Sequence, residues 1–140
     1  MDKNRLVKQT RTALLIYIGG IFLAMPFYAG GTYAITDIAT PYNFFSNFLS
    51  DLGRSVSHST DLNFHSSFLF NNAMTIFGIF YARFVYYMTD YIGDTNENIA
   101  LLAKISSIIA CLCIIGVALT PANIRSLYAL HILFANNIFY

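Results

Sequence analysis

The chain runs from Thr12 to Thr36 without a charged side chain, and two further gaps, Leu62 to Ala82 and Ile105 to Ile124, repeat the pattern. About 20 apolar residues at helical rise cross a hydrocarbon core of roughly 30 Å, and a helix satisfies its own backbone hydrogen bonds where water is absent. The pattern predicts an all-α fold, a polytopic transmembrane helix bundle with spans at about 13–36, 62–82 and 105–124. A fourth apolar stretch, 126–140, stops with the chain and at ~1.5 Å per residue reaches only some 22 Å. It reads as a span cut short by the C-terminus, which predicts an in-frame continuation downstream of Tyr140.

Composition agrees, with 56% apolar and 11% charged residues where soluble domains carry roughly a quarter charged. Without a linker or an internal repeat, residues 1–140 read as one integral-membrane domain. The net charge of +1 gives no reason to expect a nucleic-acid partner. The basic N-terminus followed by an apolar run also fits a signal peptide, but the run exceeds an h-region of roughly 7–15 residues and contains Pro26. An uncleaved first span is expected. Cys111 and Cys113, two positions apart on a helix, would face different sides, which makes a disulfide or a zinc pair between them implausible.

Lysine and arginine are retained on the cytoplasmic side. Four lie in the N-terminal tail and two between Arg83 and Lys104, against Arg54 and Arg125 in the other connections. The expectation is a cytoplasmic N-terminus in the cell membrane, with 37–61 and the turn 121–125 outside. In the outer loop Thr40-Pro41 reads as a helix start and Gly53 as a stop. Phe45, Phe48, Leu49 and Leu52 recur at helical spacing. A short interfacial helix over about 41–52 is predicted. Pro26 should kink the first span near its middle. Gly20 with Ala24, and Gly78 with Ala82, mark close helix contacts and leave helix–helix oligomerisation open.

Polar side chains gather on the outer side: Ser50, Asp51, His58, Asp61, His65, Arg125 and His131. Ionisable side chains within spans are costly and mark candidate sites. One reading joins Asp51, His65 and His131 into a catalytic or metal site, a carboxylate and two imidazoles that could hold zinc or another divalent ion and activate water against a lipid at the outer leaflet. The other reading is structural: a cluster of Ser50, Asp51, Gly53, Asn71, Asn72, Pro121, Arg125 and His131, with Asp51 paired to His131, ties the first loop to the third and fourth helices. No HExxH or GxSxG motif favours the enzyme.

The string Asn47-Phe48-Leu49-Ser50-Asp51-Leu52-Gly53, with Phe70-Asn71-Asn72, Gly116-Val117-Ala118-Leu119-Thr120-Pro121 and the later His131, resembles the integral-membrane family catalogued as domain of unknown function 998. It is more distantly similar to the Frag1/DRAM group of small polytopic proteins. The resemblance covers roughly residues 12–140. It implies a bundle of about six helices, two of which this chain would lack, with Ser50, Asp51, Gly53, Asn71, Pro121 and His131 as the matching positions. It implies no firm reaction. The expected function is a multi-pass, lipid-interacting or structural membrane protein with the bilayer as partner and no cofactor. A membrane-embedded metal-dependent hydrolase is the alternative, and a transporter subunit is disfavoured because no span carries a central charge.

Overall fold

A computed structural model of the chain describes residues 2–93 and 96–138, so the final two positions of the expected fourth span lie outside the described residues. Regular structure among the described residues is helical: α1 (Lys3–Ala24), α2 (Phe64–Gly93), α3 (Glu97–Leu119) and α4 (Tyr128–Asn137), with short 3₁₀ turns at Met25–Phe27 and Leu49–Gly53. Helices α1, α2 and α3 are each long and apolar enough to cross a membrane. The central helix is α2, packed against both α1 and α3, and α4 packs against α3.

The boundaries differ from the charge gaps for local reasons. The Asp2 carboxylate accepts from the Asn4 N–H at 3.0 Å and starts α1 well before residue 13, so the four basic residues ride on the helix. Pro26 does not kink α1 but ends it. Its ring has no N–H to give and crowds the carbonyl one turn back, so the chain tightens into the Met25–Phe27 turn and leaves. Gly30 and Gly31, at φ +110° and +81°, then bend it through a conformation that side-chain-bearing residues avoid. Residues 28–36 therefore belong to a loop and not to the first span. In the other direction α2 runs past Ala82 to Gly93. The Asn96 side chain caps α3 by accepting from the Asn98 and Ile99 N–H groups, both at 3.1 Å.

The helix expected over 41–52 is absent, and only its end, Leu49–Gly53, is helical, as a 3₁₀ turn. Three side chains compete for the backbone. Asn43 Oδ1 accepts from the Phe45 N–H at 2.9 Å, Asn47 Oδ1 from the Asn43 N–H at 3.0 Å, and Asp51 Oδ2 from the Phe48 N–H at 2.9 Å. Such bonds hold a chain in turns. The supposed apolar face is split accordingly, with Phe45 and Phe48 exposed and Leu52 fully buried.

Leu52 belongs to the core, with Ala24, Tyr28, Phe70, Met74, Val117 and Ala118. This core lies at one end of the bundle, where the 28–63 loop covers the helices. Elsewhere the outward faces stay apolar: Leu15, Phe22, Leu102, Leu112 and Leu119 are all more than half exposed.

Candidate functional site

The loop and the helix ends beneath it form a polar cap, built on asparagines that grip backbone. Asn63, 1% exposed, accepts from the Ala29 N–H at 3.1 Å through Oδ1 and donates through Nδ2 to the Leu52 and Arg54 carbonyls at 3.2 and 3.0 Å. The Ser66 hydroxyl donates to the same Leu52 carbonyl at 3.1 Å, and Asn71 Nδ2 to that of Gly53 at 3.3 Å. Together they fasten the 3₁₀ turn to the start of α2. Gly53 is therefore not a helix stop in a left-handed conformation. A Cβ there would lie 2.6 Å from Asn71 Oδ1 and 2.8 Å from the Phe70 ring, so only glycine permits the approach. Asn47 Nδ2 donates to the Gly31 carbonyl at 3.0 Å and joins the two halves of the loop.

Asp51, 3% exposed, sits at the centre. Besides the Phe48 N–H, its Oδ2 receives Asn47 Nδ2 at 3.4 Å, and its Oδ1 meets His58 Nε2 at 3.2 Å. Arg54 Nη1 is 3.9 Å away, too far for a hydrogen bond, while Arg54 Nε donates to the Val56 carbonyl at 3.2 Å. The Tyr28 hydroxyl accepts a long bond, 3.4 Å, from the His58 N–H. Burial raises the Tyr28 hydroxyl above its usual range, and the nearby Asp51 charge adds to this, while the His58 bond and Arg54 oppose it. Tyr42, packed edge-on against Tyr28 with ring centroids 5.7 Å apart, has its hydroxyl buried without a hydrogen-bond partner among the described residues. Burial, then Asp51 and then Tyr28, push it up to about 12.

A hairpin-like segment pairs Val56 with Leu62 and turns at Thr60, whose φ is +71°. Within it the Ser57 and Ser59 hydroxyls are 2.8 Å apart, and Ser59 Oγ lies 3.0 Å from the Ala29 carbonyl and 2.9 Å from Asp61 Oδ2. One proton serves only one of these acceptors at a time. Asp51 and His58 form an acid–base couple, but the carboxylate takes the imidazole Nε2, while Ser59 turns toward Ala29 and Asp61 and Ser57 toward Ser59. No serine hydroxyl among the described residues bonds the His58 ring, so the base has no hydroxyl nucleophile in place.

The residues expected to form one site are distributed over three environments. Asp51 pairs with His58 and not with His131. Buried His131 instead places Nδ1 2.6 Å from the Thr120 carbonyl, closing the turn between α3 and α4. His65 is exposed and lies between the Phe27 and Phe64 rings, with centroids at 6.1 and 5.6 Å. Among the described residues no three His, Cys, Asp or Glu side chains are grouped to hold a metal ion. Asn72 is exposed and donates to the Phe68 carbonyl of its own helix at 2.8 Å, and Arg125 is exposed on the α3–α4 turn, so neither enters the cap. The Pro121 carbonyl accepts from the Ile124 N–H within that turn at 3.1 Å.

The loop is tied to the third and fourth helices by Asn123 instead. Its Oδ1 accepts from the Ser55 N–H and its Nδ2 donates to Ser55 Oγ, both at 2.9 Å. Asn63, Asn123 and the Asp51–His58 pairing carry the cap and were not singled out from the sequence. The available signal was the density of Asn, Ser and Asp between residues 43 and 67, which marks side chains able to satisfy irregular backbone.

Beneath the cap lies a cavity of about 490 Å³, with Ser50 and Leu49 at its roof and walls from all four helices. No family model, curated protein or solved structure matches this chain.

Proposed function

We propose that the chain is a multi-pass membrane protein, lipid-interacting and structural in role, with its basic N-terminus cytoplasmic and the cap outside. The observation that carries this reading is where the polar atoms of the cap go. Asn47, Asn63, Ser66, Asn71, Thr120 and His131 all bond main-chain groups. An irregular loop on an apolar bundle has to satisfy its own backbone where water is scarce, and these side chains do so. The apolar outward faces of α1 and α3 support placement in lipid, since a water-facing surface would carry charge there.

The test uses single cysteines in a background with Cys111 and Cys113 replaced by alanine. Thr36→Cys, exposed in the loop, should react with a membrane-impermeant maleimide on intact cells. Asn98→Cys, exposed at the start of α3, should react only after permeabilisation. The protein should also stay with membranes through alkaline carbonate extraction. Release by carbonate would overturn membrane integration, and the reverse labelling pattern would overturn the orientation.

A further inference from the structure

We propose that the basic turn near the start of α1, centred on Lys8 and Arg11, binds the phosphate of an anionic phospholipid in the cytoplasmic leaflet. The proposal rests on the membrane reading above and adds to it a ligand class and a place.

Length brings these cations to the headgroups. Because α1 ends at Ala24 and the chain turns aside after Phe27, the uncharged part of the first span, Thr12 to Phe27, covers only about 25 Å. A hydrocarbon core is roughly 30 Å thick. The further turn that matches it, about 6 Å of helix, is the one that holds Lys8 and Arg11. Their stems then lie along hydrocarbon while their charged ends reach out to the phosphate layer. The neighbouring helices agree on the depth. Tyr17 stacks on Phe77 with centroids 4.7 Å apart, and the Phe27 and His65 centroids are 6.1 Å apart, so α1 and α2 run antiparallel. Equal steps away from the Tyr17–Phe77 contact bring Lys8 level with Tyr86, whose ring Lys104 Nζ approaches to 4.1 Å from α3. Tyrosine and lysine at one depth mark a membrane interface on its cytoplasmic side.

Charge and shape name the partner. Lys8 and Arg11, three positions apart, share a helix face and line one groove, with Leu15 at its lower end. Both are exposed, and the sequence has no acidic residue between Asp2 and Asp37, so α1 itself supplies them no counter-charge beyond its first turn. Leu15, 69% exposed, continues their face as apolar surface. A phosphate diester joined to acyl chains matches that order of charge above grease, whereas a soluble anion would use only the upper half. The phosphate of phosphatidylcholine is already answered by its own choline, so a headgroup with net negative charge gains most from the two cations.

The test places the full chain in nanodiscs of equal parts phosphatidylcholine and phosphatidylglycerol and counts, by native mass spectrometry, which lipid stays bound. Phosphatidylglycerol should be retained over phosphatidylcholine at least ~10-fold, and Lys8→Gln with Arg11→Gln together should bring the ratio near one. If that double variant fails to fold, Arg11→Gln alone should lower the ratio about fivefold. Lys8→Arg, which keeps the charge, should keep the preference. So should Arg125→Gln, which removes an exposed charge from the opposite side. An equal loss in Arg125→Gln would overturn the proposal by making the preference a matter of net charge. Displacement of the lipid by inorganic phosphate or by a polyglutamate peptide would also overturn it, since the turn would then serve a soluble anion or an acidic protein. Equal retention of both lipids by the unaltered chain would overturn it and leave the membrane reading intact. A chain that stays out of nanodiscs and is released by carbonate would overturn both.

Discussion

Asp51 receives the Phe48 N–H and Asn47 and meets His58, while His131 is spent on the Thr120 carbonyl, so the two residues share no partner. Asp51→Asn should lower stability in detergent by about 1–3 kcal/mol, the scale of a buried polar group left badly paired. Combined with His58→Gln, its loss should depart from the sum of the singles by at least ~0.5 kcal/mol, whereas with His131→Gln it should add within ~0.5 kcal/mol. Unfolding midpoints of the three single and two double variants decide this, and coupling to His131 would contradict the geometry. Tyr42 offers a pH-dependent counterpart. Unfolded, its hydroxyl ionises near 10, and folded it holds its proton up to about 12. Its contribution to stability is whole below pH 10 and is lost as pH rises toward 12, because the unfolded chain gives up the proton first. Water at a half-buried ring limits the loss to about 1–2 kcal/mol. Tyr42→Phe should flatten that part of an alkaline unfolding curve. It should cost little at neutral pH, because the hydroxyl it removes has no partner among the described residues.

At the scale of helices, two adjacent glycines in α1 separate propensity from packing. A Cβ on Gly19 meets nothing within 4 Å, while one on Gly20 would run into Ala73 Cβ of α2, which has no rotamer by which to yield. Gly19→Ala should stabilise the bundle by up to ~1 kcal/mol through helix propensity, and Gly20→Ala should destabilise it by about 1–3 kcal/mol by prising α1 from α2. Thermal unfolding in detergent reads both, and equal effects would refute the close contact. Gly20 was legible as a small residue one turn from Ala24, but Pro26 was not, because a proline that ends a helix and one that bends it look alike in sequence. What decides is the continuation, and Gly30 and Gly31 turn the chain away. The periodicity of Phe45, Phe48, Leu49 and Leu52 misled for a related reason. Helical spacing is a necessary pattern for a buried helix face, and Asn43, Asn47 and Asp51 offered the same backbone a closer set of partners.

For the molecule as a whole, uncharged runs announced the three long helices, because the absence of charge over about 20 residues is a property of every position at once. The cap escaped because it depends on partners far apart in the chain. Asn63 reaches back to Ala29, and Asn123 to Ser55, 68 positions away. No local pattern encodes either. The Asn123 clasp also sets an order of events. The ribosome delivers the chain from the N-terminus at about 5–20 residues per second, so Ser55 waits roughly 3–14 s for its partner to be made. Through that interval Asn63, Ser66 and Asn71 can already bind the turn to α2. The clasp can therefore close only when the chain returns with Asn123, which makes it a late step of biogenesis and leaves the nascent two-helix stage with its lid unlatched.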